Sequence, residues 1–282
     1  MVLNSLLSKC TVRTKNLESV SRKLEQLIAG GSAQLQIICD FDYTLTKYSD
    51  GASERCLTTY SLFTQSKPEV GKQLAALYKK YQPIEFHHEM TYEQKIPYMV
   101  ECSSDFSLES LDSFLKTARI YLRDSCHQFL EISAKHEIPF VLFSAGIADL
   151  IELFLQHNIK QIPQNLHIVS NRLKLDEQKK IAGFHEPLIH TFNKNSSVIG
   201  AERNFEYHLA GRHNVLLLGD TLGDVRMDLG VENEGAALKI GFLNINVDEL
   251  LPQYLDAFDI VLVDDQTMDI PLRILSQVVN AC

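Results

Sequence analysis

The feature that most restricts what this chain can become is a five-residue apolar run, Leu35 to Cys39, that ends abruptly in Asp40-Phe41-Asp42-Tyr43-Thr44. A short, β-rich run of this kind, with polar flanks, reads as a strand buried on both faces of a parallel sheet. Asp40 and Asp42 then project from the strand end, where the ligand crevice of an open α/β sheet lies. Two carboxylates so close repel each other unless a cation sits between them. A bare Asp-x-Asp is more often a solvated turn or a helix cap. The strand that feeds this one, and the longer Asp-x-Asp-x-Thr string, make it far more specific.

Similar runs recur at Phe140–Phe143, His167–Val169, Val215–Leu218, Leu238–Ile240 and Ile260–Val263, separated by amphipathic stretches such as Ala148–Gln156 and Glu202–Leu209. That alternation predicts an α/β fold, a parallel sheet with helices on both faces. Upstream, Asn16 to Ile28 has helical spacing and Gly30-Gly31 is expected to stop it. Between Glu54 and Lys135 the pattern turns helical and charged, with Leu74–Leu77, Leu108–Leu115 and Tyr121–Ile132 as its apolar faces. About 80 such residues are too many for a loop and enough for a small helical cap domain. The expected organisation is therefore residues 1–53 as an N-terminal helix and the start of the core, 54–135 as the cap, and 136–282 as the rest of the core.

With 45% hydrophobic residues in 282, the chain can fill a real core, and its net charge of −9 argues against gripping a nucleic-acid polymer. A small anionic substrate would need a bound cation or a local cluster of donors. The six cysteines, Cys10, Cys39, Cys56, Cys102, Cys126 and Cys282, form no CxxC pair and read as reduced thiols. Met1 to Leu7 lacks a basic leader and no apolar run is long enough to span a bilayer. A cytoplasmic, monomeric protein with no membrane partner is expected, and the Asn195-Ser196-Ser197 triplet would go unused there.

Three further stations follow other strands. Ser144-Ala145-Gly146 offers a hydroxyl and backbone amides at an expected helix start, suited to a phosphate, although such a triplet is also an ordinary N-cap and turn. Leu188 to Lys194 ends in a lysine that offers a point charge, or merely a solvated one. Leu216 to Asp224 runs an apolar strand into Gly219-Asp220-Thr221-Leu222-Gly223-Asp224, whose glycines let backbone approach a ligand and whose carboxylates are hard oxygen donors for Mg²⁺.

Taken in order, Asp-x-Asp-x-Thr, Ser, Lys and Gly-Asp-x-x-Gly-Asp resemble the haloacid dehalogenase (HAD) phosphatase superfamily, which implies a HAD-like Rossmannoid core with an inserted cap. The resemblance implies that Asp40 is a nucleophile forming an aspartyl-phosphate and that Asp42 is the general acid and base. Ser144, Ala145 and Lys194 would bind the phosphoryl group. Asp40, Asp42 through its backbone carbonyl, and Asp220 would hold Mg²⁺, with Asp224 supporting the site.

Longer strings are similar to the cytosolic 5′-nucleotidase III family: Ile84-Glu85, Met90 to Glu101, Phe143 to Ile147, His190 to Ser197 and Leu238 to Asn244. The Asn-Lys-Asn-Ser-Ser wording most resembles the branch acting on 7-methylguanosine monophosphate. The resemblance implies a Mg²⁺-dependent 5′-nucleotidase acting on 7-methylguanosine or pyrimidine monophosphates such as CMP, with Glu85 reading the base as carboxylates read cytosine. Where that family usually carries Trp after Met-Val-Glu, this chain has Cys102, and it contains no Trp. A stacking face is thus missing there, with Phe86, Tyr92 and Phe106 as nearby aromatic substitutes. His87-His88 read as polar cap residues, since adjacent residues rarely point at one ion. Two other readings stay open, a HAD phosphatase for another small phosphometabolite and a catalytically silent nucleotide-binding paralogue.

Overall fold

The computed structural model describes residues 10–51, 55–59, 61–62, 107–159, 161–190, 194, 211–229 and 235–280. Within them a seven-stranded sheet forms the middle layer. In chain order its strands are β1 (Val12–Arg13), β2 (Leu35–Cys39), β3 (Phe140–Ile147), β4 (Leu166–Asn171), β7 (Asn214–Gly219), β8 (Ala237–Leu243) and β9 (Ile260–Val263), and a separate hairpin pairs β5 (Leu173–Leu175) with β6 (Ile181–Phe184). The spatial order is β1-β9-β8-β7-β2-β3-β4, parallel throughout except for β1.

All five residues of β2 are buried, as the run of Leu, Gln, Ile, Ile and Cys requires of a strand covered on both faces. Alternation divides them. Leu35, Ile37 and Cys39 join the apolar cluster on one face, and Ile38 joins Val141, Phe143 and Leu217 on the other. Each fully buried Ile or Phe contributes about 1.5–3 kcal/mol. Gln36, buried in the same strand, donates from Nε2 to the Arg212 carbonyl at 2.6 Å.

Among the described residues six α-helices complete the layers: α1 (Leu17–Gln34), α2 (Leu108–Leu115), α3 (Cys126–Lys135), α4 (Ala148–Asn158), α5 (Val247–Ala257) and α6 (Asp269–Asn280). The α1 helix is capped by Asn16, whose side chain accepts from the Ser19 amide at 2.9 Å, and it buries Val20, Leu24 and Leu27 at helical spacing. The regular helix is interrupted at Gly31, as expected of Gly30-Gly31: Gly31 leaves helical geometry with φ 62° and ψ −170°, a conformation glycine tolerates, and a short further helical stretch runs to Gln34 before β2 begins.

Two expectations need correcting, and three short strands went unforeseen. The helix expected over Tyr121–Ile132 spans Cys126–Lys135 instead, because Leu122 bridges to Thr46 and Asp124 to Thr267, holding that stretch extended. Ser144, Ala145 and Gly146 do not open a helix. Pairing with β4 resumes at Ile147 opposite Asn171, after an irregularity beyond Phe143, so β3 runs through all three. The short β1 and the β5–β6 hairpin carry too few apolar residues to stand out in the sequence.

Helices α2 and α3, within the stretch expected to form the cap, bury Leu111, Leu115, Phe129 and Leu130 in the same cluster as α1, α4 and α6. Residues 63–106 and the expected Glu202–Leu209 helix lie outside the described residues. No helix among the described residues is long and apolar enough to cross a membrane. Cys10, Cys39, Cys56 and Cys126 are free thiols, and Cys102 and Cys282 lie outside the described residues.

Candidate active site

Strand β2 pairs with β3 on one side and β7 on the other, so the chain leaves it in opposite directions. A crevice opens beyond the carboxyl ends at such a switch point. Phe41 is fully buried, edge-on to Phe154 with ring centroids 5.6 Å apart, and this anchors the turn that follows Asp40. The turn closes when the Tyr43 amide donates to Thr46 Oγ1 at 2.9 Å, with Tyr43 in the left-handed region at φ 61°.

Asp40 is 4% exposed, and its Oδ1 accepts from Lys194 Nζ at 2.5 Å. The same ammonium donates to Asp224 Oδ1 at 2.8 Å. Asp224 is held from its other side by Thr221, whose amide and hydroxyl donate to Oδ2 at 2.9 and 2.7 Å. Gly219 makes this close approach possible. A Cβ there would stand 2.4 Å from the Asp224 Cβ. Asp220 is fixed through its backbone, since its carbonyl accepts from the Tyr254 hydroxyl of α5 at 2.6 Å.

Asp42 turns to a different partner. Its Oδ1 accepts from the Thr59 amide at 2.8 Å and its Oδ2 from the Thr59 hydroxyl at 2.7 Å. Gly146 marks where these groups meet: a Cβ on it would lie 2.3 Å from Thr59 Oγ1 and 3.1 Å from both Asp42 Oδ2 and Ser144 Oγ. Ser144 is buried and its hydroxyl accepts from the Gly146 amide at 3.0 Å. Asn171, buried in β4, ties this stretch to the segment leading to Lys194 by donating to the carbonyls of Ala145 at 2.8 Å and Ile189 at 2.9 Å.

The electrostatics follow from burial. Lys194 is held well above the ordinary lysine range because Asp224 and Asp40 outweigh its desolvation. Burial pushes Asp40 up to about 7, with Lys194 opposing and Asp224 adding to the rise. Burial also pushes Asp42 up to about 6, against the two Thr59 hydrogen bonds. Asp220 is raised well above the carboxylate range by burial and then by Asp40 and Asp224.

Oxygens of Asp40, Asp220 and Asp224 all lie within 4.8 Å of one another. Three carboxylates facing one ammonium leave a surplus of negative charge, and oxygen donors of this kind suit a hard divalent cation. Both oxygens of Asp224 are already engaged, so Asp40 and Asp220 are the better placed to reach such an ion and Asp224 to brace them. The arrangement sets an anchored carboxylate, a second protonatable carboxyl, a buried cation and a carboxylate cluster that could hold a metal ion at the carboxyl ends of β2, β3 and β7. That set suits phosphoryl transfer, which depends on positioning and charge stabilisation.

Of the residues singled out in the sequence, Asp40, Lys194, Asp220 and Asp224 come together in one cluster, and Asp42 and Ser144 converge on Gly146. Ala145 contributes a carbonyl bound by Asn171. Glu85, Phe86, His87, His88, Tyr92 and Phe106 lie outside the described residues. Thr59, Asn171 and Tyr254 were not legible, for each acts across a large sequence separation. Thr221 stands inside the Gly-Asp-x-x-Gly-Asp string, and its place three residues before an aspartate is a signal for the cap it makes.

The sequence profile described as pyrimidine 5′-nucleotidase (UMPH-1) matches residues 43–279. A Xenopus laevis protein named 7-methylguanosine phosphate-specific 5′-nucleotidase A is 38% identical over 282 residues, covering 96% of each chain. The crystal structure of cytosolic 5′-nucleotidase IIIB bound to cytidine superposes with a TM-score of 0.83 at 32% identity, covering 98% of this chain and 96% of that one. A phosphoserine phosphatase in its apo form superposes with a TM-score of 0.53 at 15% identity, covering 84% of this chain and 97% of that one, a likeness of fold alone.

Proposed function

This chain belongs to the pyrimidine 5′-nucleotidase (UMPH-1) family, and from that membership we propose that it is a Mg²⁺-dependent cytosolic enzyme cleaving nucleoside 5′-monophosphates to nucleoside and phosphate. The observation that carries the reading is Lys194 bridging Asp40 and Asp224 beside a carboxyl, Asp42, held apart from them on Thr59. Asp40 is the nucleophile: its carboxylate attacks phosphorus, an acyl-phosphate bond forms and the bond to O5′ breaks. Asp42 gives its proton to the departing O5′, and a pKa near 6 keeps a useful fraction protonated close to neutrality. Asp42, now ionised, then takes a proton from the water that cleaves the acyl-phosphate. Lys194 and the Ser144 hydroxyl bind the phosphoryl oxygens throughout. Mg²⁺, held by Asp40, Asp220 and the Asp42 carbonyl and braced by Asp224, would supply charge neutralisation at the phosphoryl group.

The substrate class follows from relatives, one bound to cytidine and one named for 7-methylguanosine phosphate. We assign base reading to Glu85, within the proposed cap over 54–135, and expect Cys102 in place of the usual Trp to relax preference for a methylated purine. The test is phosphate release from cytidine, guanosine and 7-methylguanosine monophosphates, with Mg²⁺ or EDTA, for the native chain and Asp40→Asn. Release that needs both Mg²⁺ and Asp40 is expected. Turnover in EDTA, or by folded Asp40→Asn at near-native rate, would overturn the mechanism.

A further inference from the structure

Arg123 is the largest side chain among the fully buried residues described, at 1% exposure, and its charge is matched by no ion pair among the described residues. It faces carbonyls instead. Its Nε donates to the Thr44 carbonyl at 2.7 Å and its Nη2 to the Tyr43 carbonyl at 2.5 Å. Its Nη1 donates to the Asp265 carbonyl, and Nη2 also reaches Asn244 Oδ1 at 3.1 Å. The guanidinium lies over the Phe242 ring, 4.0 Å from its centroid. Its own amide donates to the Leu45 carbonyl at 3.0 Å.

Those acceptors belong to three segments, each at the carboxyl end of a different strand: the turn after β2, the end of β8 and the loop after β9. A buried cation with no carboxylate in direct contact bears a large desolvation cost, visible here as an arginine lowered to about 10 by burial against the opposing pull of the Asp220 and Asp265 charges. A core needing only volume would be served by an apolar side chain. What an apolar residue cannot do is aim two successive carbonyls, those of Tyr43 and Thr44, in one fixed direction. Tyr43 also occupies the left-handed region, where a tyrosine is disfavoured and reverts unless its surroundings hold it. Only Arg's planar fork spans acceptors spaced this way; a lysine ammonium is a point charge on a flexible stem.

We propose that Arg123 is a positioning residue for the reaction, clamping the turn that carries Asp40 and Asp42 to the ends of β8 and β9 so that Asp42 keeps its place relative to the departing oxygen. The inference rests on the nucleotidase reading above. Its effect is on the rate of the bound complex, since Arg123 hydrogen-bonds to neither Lys194 nor Ser144, the proposed phosphoryl contacts. Loosening the turn should therefore lower kcat and leave KM nearly unchanged, as misplacement by about 1 Å can cost roughly 10²-fold.

The test uses the full chain with Mg²⁺ and whichever of cytidine or 7-methylguanosine monophosphate the native protein hydrolyses faster. Arg123→Lys keeps the charge and loses the fork; Asn244→Ala removes one of the clamp's side-chain partners and serves where the lysine variant does not fold. The expected result is a kcat at least tenfold down for Arg123→Lys and several-fold down for Asn244→Ala. KM should stay within threefold and thermal unfolding within a few degrees of native. Native kcat in a folded Arg123→Lys, or in Asn244→Ala if the first does not fold, overturns the proposal. So does a loss of activity that only follows the loss of folded protein. An inert native chain would instead sink the nucleotidase reading, and this inference with it.

Discussion

Thr59 gives both of its hydrogen-bond donors to Asp42, and both favour the ionised carboxylate. Burial acts in the opposite sense and wins, leaving Asp42 near 6. Thr59→Val keeps the amide bond and loses the hydroxyl, so Asp42 should rise further and hold its proton to higher pH. The alkaline limb of phosphoenzyme formation should then move upward by roughly one pH unit, the scale of one hydrogen bond to a charged group. Rapid-quench pH–rate profiles of the two proteins test this; a limb that stays put or moves down means another group titrates there. Asp42 was legible in the sequence because an acid at the end of an apolar strand is a chemical signal in itself. Thr59 was not: a threonine 17 residues downstream carries no such mark, and only the folded chain brings its hydroxyl to Asp42.

At the scale of elements, β3 shows how a strand can deliver a site. Its pairing with β4 is interrupted between Phe143 and Ile147, and Gly146 lies in that interval, facing Thr59, Asp42 and Ser144 at once. Gly146→Ala would place a methyl 2.3 Å from Thr59 Oγ1, forcing the threonine, and with it Asp42, to shift. We expect a rate loss on the order of 10²-fold with the fold retained. Steady-state kinetics beside thermal unfolding would check it, and a near-native rate would mean that Thr59 gives way without disturbing Asp42. Strands with continuous apolar runs, β2 and β9, matched their sequence reading residue for residue. The misplaced α3 start has a local cause: Ser125 sits at φ 65°, so helical geometry begins only at Cys126.

For the whole molecule, the acidic cluster ties stability to pH. Asp40 near 7, Asp42 near 6 and a strongly raised Asp220 all sit above the unfolded value of about 4. A carboxyl raised on folding stabilises the native state fully below its unfolded pKa, and that contribution is lost as pH climbs through the folded pKa. In EDTA the protein should therefore weaken between pH 5 and 8. Mg²⁺, if it binds the ionised cluster as proposed above, should restore it most at pH 8, by about 5 °C or more at a hundredfold excess over Kd. Thermal unfolding at both pH values, with and without Mg²⁺, tests this; an equal shift at pH 5 and pH 8 would place the ion elsewhere. The sheet and its order of chemistry were readable because strand and helix periods differ, whereas the hydrogen bonds that aim each carboxylate depend on tertiary distances that no local pattern encodes.

The pairing of β2 with β7 has a consequence for how the molecule comes into being. Leu35 to Cys39 align with Asn214 to Leu218, which are made about 180 residues after them. Contacts of such long range must close large loops before any of them is rewarded, which slows folding. During synthesis a nascent chain carries Asp40 and Asp42 on an unpaired strand edge long before Lys194, Asp220 and Asp224 exist to meet them. The site is therefore complete only after Asp224 has been made, and until β3 and β7 are available the apolar run from Leu35 to Cys39 lacks both of its sheet partners.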